Sequence, residues 1–165
     1  EYVDEADVAR LAPLGVTASM QPVHCDPAYL DNWADLLGPT RSARGFAWPE
    51  FLAHGTTLAF GTDTPTADHR ALPNMFIAST RRSPNVPAAV PLRPDFALPL
   101  EQAVVHGTHH SAWASFDEGR RGMLRAGLAA DLVVLDGDPF RDGPDALLTT
   151  TVARTVVAGR TVHQQ

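Results

Sequence analysis

The chain has 165 residues, 44% of them hydrophobic and 19% charged, which describes one globular domain of ordinary size rather than a disordered segment. A formal charge of -6 argues against a nucleic-acid partner, and all 13 basic residues are Arg, so no Lys nucleophile or Schiff base is available. No apolar run reaches the roughly 18 residues that span a bilayer, no signal-peptide pattern opens the chain, and Cys25 is the only cysteine, so a cytoplasmic protein with no membrane partner is expected.

The opening "VDEADVARLAPLG" predicts a helix with Asp4 as N-cap, Asp7 three residues on, and Val8, Leu11 and Ala12 on one face. Gly15 stops it, and the chain's start on Glu1 suggests a piece of something longer. "VTASMQ" alternates and reads as a strand over 16 to 21, ended by Pro22. Asp26 and Pro27 then open a helix carrying Leu30, Trp33 and Leu37, closed by Gly38-Pro39. "WPEFLAHG" repeats that scheme, with Pro49 near the start and Gly55 at the stop. A second strand follows over 56 to 62 or 63, then a helix over 71 to 80 with Leu72, Met75, Phe76 and Ser79 facing inward. This alternation predicts an α/β fold with a parallel sheet.

Five prolines between 84 and 99 mark a loop, and "LEQAVVHGTHHSAWASF" reads as a helix broken near Gly107. From Gly119 the texture changes. "GMLRAGLAADLVVLDGDP" and "VARTVVAGRTVH" read as strands with a tight hairpin at Ala158-Gly159 or Gly159-Arg160, which places a domain boundary near 119. The two units are residues 1–118 and 119–165, and no internal repeat is visible.

"LAFGTDTP" raises the question of chemistry, because an apolar strand stops abruptly on Asp63. From the residues alone Asp63 is either an Asx-turn residue before Thr64-Pro65 or a catalytic carboxylate. "GVTASMQPVH", "WPEFLAHGTTLAFGTDTP", "GMLRAGLAADLVVLDGDP" and "TVVAGRTVH" together resemble the C-terminal part of the amidohydrolase superfamily. The group they resemble is amidohydrolase family 3, which includes N-substituted formamide deformylase-like proteins. The resemblance runs over nearly the whole chain. It implies the last two strands of a (β/α)8 TIM barrel, with part of a small β-sandwich at 119–165. It also implies a divalent metal, zinc by expectation, held by an H-x-H pair after the first strand, by groups after the fourth, fifth and sixth, and by an Asp after the eighth.

Only that last Asp, Asp63, falls within these residues, so the resemblance makes it catalytic and a metal ligand, with the His ligands expected before Glu1. A closed barrel takes about 250 residues, so the segment by itself is expected to be inactive. His24 lies at the mouth end of the strand over 16 to 21 and reads either as a substrate contact or as a loop histidine; Gln21 and Ser19 point the same way along it. His106, His109 and His110 are spaced i, i+3, i+4, as in a zinc-binding helix face. A break at Gly107 and the lack of a fourth ligand favour packed or solvated histidines instead. Cys25 has no basic partner and reads as inert, and Asp131 as a turn cap.

The function expected is a metal-dependent amidohydrolase acting on a non-peptide C–N bond of a small molecule, with homo-oligomerisation left open. The rival reading is a non-catalytic α/β binding or assembly module.

Overall fold

Two three-residue strands, β1 (Ala18–Met20) and β2 (Leu58–Phe60), lie parallel, with Ala18 opposite Leu58 and Met20 opposite Phe60. The computed structural model describes residues 1–165, the side chain of Asp31 apart. Parallel pairing requires a long crossover, and the chain supplies it as helices. α1 (Glu5–Leu11) precedes β1, and α2 (Asp31–Leu37), α3 (Pro39–Ser42) and α4 (Trp48–Ala53) lie between the strands. After β2 come α5 (Ala71–Thr80), α6 (Leu100–Gly107) and α7 (His109–Ala114). A second sheet contains β3 (Leu132–Leu135), β4 (Val152–Val157) and β5 (Arg160–Gln164), antiparallel in the order β3-β4-β5, with α8 (Pro139–Asp142) and α9 (Ala146–Thr149) inserted after β3.

Both parallel strands are shorter than the alternation of apolar residues predicts, because their ends are used to close helices. Gly15, in the left-handed region at φ 68°, lets Val16 N–H bond back to Leu11, so residue 16 finishes α1. Gly55 at φ 77° does the same for α4, and Thr56 N–H bonds to Phe51. At the other end Gln21 leads into a 3-10 turn over Pro22–Cys25. Asp4 and Asp26 are caps as expected: Asp4 Oδ1 accepts from Ala6 N–H at 3.0 Å and Asp26 Oδ1 from Ala28 N–H at 2.9 Å. The helix expected after Asp26 is split into a 3-10 turn at Pro27–Tyr29 and α2. Residues 119 to 131 form turns rather than strand, with Gly122 and Gly127 at positive φ. Asp131 Oδ1 reaches across to accept from Ala158 N–H at 2.7 Å, holding the β4–β5 turn where Ala158 and Gly159 both take positive φ.

The core is aromatic and lies between the parallel pair and its helices. Trp48, Phe76 and Leu58 are fully buried, Phe46 and Ile77 nearly so, and Leu147 of α9 joins the same cluster. All three residues of β2 are buried, as expected of a strand covered on both faces. Two polar side chains cross this core. Arg81 caps α5 in the left-handed region at φ 59°. Its Nε donates to Leu92 O at 2.9 Å and its Nη1 to Phe46 O at 3.1 Å, while the guanidinium lies 4.6 Å from the Trp48 ring centroid. Burial pushes its pKa down. Asn74, in the middle of α5, joins the two strand ends: Nδ2 donates to Gly61 O at 2.9 Å, and Oδ1 accepts from Val23 N–H at 2.8 Å. Cys25 is fully buried beside this joint, and burial pushes its thiol up to about 12.

Removing the Asn74 amide would orphan two backbone groups close to the core. Asn74→Ala is therefore expected to lower unfolding free energy by about 1–3 kcal/mol in urea titration. A change within error would show that the joint is dispensable.

Candidate active site

The residues that follow β1 and β2 meet at the C-terminal ends of both strands. The ladder runs one step further, with Gly61 N–H bonded to Met20 O, and then the chain turns. Asp63 takes φ 61°, a conformation that Asp tolerates better than most residues. Its position comes from this left-handed turn, since the strand expected over 56 to 62 or 63 ends at Phe60. Its carbonyl accepts from Thr66 N–H at 2.8 Å, from Ala67 N–H at 3.3 Å and from the Thr66 hydroxyl at 2.7 Å. The carbonyl thus builds the turn, and the carboxylate is left to face outward. Its Oδ2 accepts from the Thr66 hydroxyl at 3.0 Å and lies 3.2 Å from His24 Nε2, and the side chain is 47% exposed.

His24 sits in the 3-10 turn that follows β1, held there by its own N–H bonded to Gln21 O. Its Nδ1 faces Glu1 Oε1 at 2.9 Å, so the imidazole is bracketed by two carboxylates. Gln21 lies at the same rim, with its Nε2 donating to Ser19 Oγ at 3.1 Å. A Cβ placed on Gly61 would come within 3.7 Å of Gln21 Nε2, so the amide lies against the end of β2. Three of the expected residues, Asp63, His24 and Gln21, are therefore on one rim. Glu1, Asn74 and Thr66 complete it, and none of them stood out in the sequence. Asn74 left a trace, as an amide amid the apolar residues of α5.

Asp63 is the donor type that a divalent ion needs, but it is a single carboxylate. Among the described residues no group of three or more His, Cys, Asp or Glu side chains is placed to hold an ion. These residues alone do not make a metal centre.

The three histidines lie elsewhere and do a different job. His106 Nδ1 is 2.8 Å from His110 Nδ1, across a helix break at Thr108 (φ -126°, ψ -83°). Such a bond joins one ring N–H to one bare ring nitrogen, so the pair shares a proton rather than an ion. His106 is buried against Phe60, with ring centroids 5.4 Å apart, and its Nε2 has no hydrogen-bond partner among the described residues. Burial first, and His110 second, push its pKa down to about 4; burial and then His109 push His110 down as well.

A family model described as "Amidohydrolase family" matches residues 1–163. YtcJ of Bacillus subtilis (strain 168) is 28% identical over 165 residues, covering 100% of this chain and 31% of that protein. The N-substituted formamide deformylase of Arthrobacter pascens is 27% identical over 155 residues, covering 91% and 27%. The crystal structure of an adenosine deaminase from Xanthomonas campestris with bound zinc matches with a TM-score of 0.66 at 20% identity, over 99% of this chain and 35% of that one. An α/β fold shared with such enzymes defines the class. The chain belongs to the amidohydrolase family, and it spans under a third of the length of these two relatives.

His106 also sets a pH dependence. Its folded pKa of about 4 is below the unfolded value near 6.5, so protons bind the unfolded chain more readily. The stability present above pH 6.5 should fall as pH drops from there toward 4, by on the order of 1–2 kcal/mol from this group. His106→Phe should flatten that slope in urea titrations at pH 7 and pH 4.5. An unchanged slope would show that the buried imidazole is not its source.

Proposed function

We propose that residues 1–165 form the C-terminal part of a metal-dependent hydrolase that cleaves a non-peptide C–N bond, of amide or N-formyl type, in a small molecule. The observation that carries this reading is the Asp63 carboxylate at the C-terminal end of a parallel pair, half exposed and 3.2 Å from His24. Ligands and catalytic groups collect at that end of α/β strands. Family membership supports hydrolysis, the deformylase among the relatives supports a non-peptide C–N bond, and the zinc-bound neighbour supports zinc. On this reading β1 and β2 are the last two strands of a (β/α)8 barrel, residues 1–118 belong to that barrel, and 119–165 belong to a small β-sandwich.

Asp63 is the one metal ligand contributed here, and the other ligands come from the rest of the protein. An ion held by Asp63 together with those ligands would supply the chemistry of a water with lowered pKa. Asp63 would serve as general base and then as proton donor to the leaving amine. The Thr66 hydroxyl, 3.0 Å from Oδ2, and His24 keep the carboxylate aimed while its exposure admits water and substrate. His24 and Gln21 contact the substrate from the neighbouring strand end.

In the intact protein Asp63→Asn should leave the melting temperature within a few degrees and lower kcat by about a hundred- to ten-thousand-fold. Near-normal turnover would sink the assignment. Chelation should abolish activity and zinc should restore it; turnover that survives exhaustive chelation would count against the metal. Gln21→Ala should raise KM several-fold with a smaller effect on kcat, as expected of a contact made equally in ground and transition states. An unchanged KM would remove Gln21 from the substrate site.

A further inference from the structure

The ladder between β1 and β2 stops one rung short of the rim. It opens with Ala18 N–H bonded to Thr57 O and reaches Gly61 N–H bonded to Met20 O. Continued in step, a parallel ladder would next run from the N–H of residue 22 to Gly61 O. Residue 22 is proline and has no N–H to give. Asn74 supplies the missing donor from outside the sheet: its Nδ2 reaches Gly61 O at 2.9 Å, while its Oδ1 accepts from Val23 N–H at 2.8 Å. Both partners are backbone groups, one an acceptor and one a donor, so the amide fits only one way round. Its mount is rigid. Asn74 is 6% exposed, the next four residues of α5 are buried, and Leu98 N–H bonds to Ala78 O at 3.0 Å on the same helix.

We propose that Asn74 is a positioning residue for hydrolysis: by replacing the rung that Pro22 cannot make, its amide fixes the spacing at which Asp63 and His24 meet the substrate. The proposal rests on the hydrolase reading above. Asp63 lies two residues beyond the carbonyl that Asn74 holds, and His24 one residue beyond the N–H. Without the amide, the last rung before the rim is Gly61 to Met20, and the two turns are free to drift apart. Misplacing reacting groups by about an ångström can cost about a hundredfold in rate, even when the altered residue lies away from the chemistry. An amide does not titrate, so it holds the spacing alike across the working pH range.

The test uses the intact protein and two variants that remove both bonds, Asn74→Leu, which is close to the same shape, and Asn74→Ala. Ile77→Val is the control, because it loosens the packing of the same helix and leaves the joint alone. In native-state hydrogen exchange the Val23 amide should exchange about ten- to a hundredfold faster in either Asn74 variant and within about twofold of native in Ile77→Val. With zinc-loaded enzyme and N-formylaniline as probe, the Asn74 variants should lower kcat about ten- to a hundredfold and raise KM no more than a few-fold. Ile77→Val should keep both constants within about twofold. Unchanged Val23 exchange in the Asn74 variants overturns the proposal. So does unchanged kcat, and so does an equal loss of kcat in Ile77→Val, which would make the effect one of stability. A native enzyme that turns over no N-formyl or amide substrate refutes the hydrolase reading instead, and Val23 exchange then decides alone whether Asn74 holds the rim.

Discussion

Asn74 makes one donated and one accepted hydrogen bond, and the rim of this protein depends on that pair. A parallel ladder of three residues a side has few backbone bonds with which to hold its ends. The amide takes over where the ladder stops, joining Val23 after β1 to Gly61 after β2. His24 is the residue after Val23, and Asp63 comes two after Gly61. The distance between these two side chains is thus set by a third residue that touches neither. Because both bonded groups belong to the backbone, the joint is indifferent to which side chains occupy positions 23 and 61.

Helix α5 acts as a strut with two polar anchors, Asn74 within it and Arg81 at its C-terminal cap. Arg81 follows Asn74 by seven residues, close to two turns, so the two anchors are separated by about 10 Å along the axis. At its far end the guanidinium gathers the Phe46 and Leu92 carbonyls across the Trp48 ring. A lysine could not do this, since one ammonium on a flexible stem lacks the planar fork that bonds two carbonyls and stacks on indole. Phe46 is in turn the residue whose N–H holds Glu1. A continuous path of hydrogen bonds and ring contacts therefore runs from the back of α5 through the core to the rim.

Much of this was legible in local pattern. The apolar spacing over 71 to 80 gave α5 at its observed bounds, and Asp4, Asp26, Gly15 and Gly55 announced caps and stops that the structure contains. Strand lengths were not legible, because alternation cannot reveal how many residues a neighbouring helix takes for its last turn. The break between α6 and α7 falls where the sequence places it, near Gly107 and between His106 and the His109–His110 pair. Gly107 belongs to the helix, where a Cβ would come within 2.5 Å of Met75 Cε, so the glycine permits close approach and Thr108 makes the break. Asp63 was singled out, but its orientation arises from a left-handed turn that periodicity does not encode. The contacts of Glu1 and Asn74 join residues 23 and 51 positions apart, and no window on a single sequence contains them.

Cys25 gives the joint a reporter of its own. The thiol is fully buried and its ionisation is suppressed, so in the closed structure it offers a soluble alkylating reagent neither access nor thiolate. It follows the residue that carries the rim imidazole, two positions after the Val23 N–H that Asn74 holds. Labelling therefore requires this corner to open, and where closing outpaces the reagent, the rate of modification measures the free energy of that opening. With no second cysteine in these residues to share the signal, the modification rate becomes a local clock for how often the two strand ends come apart.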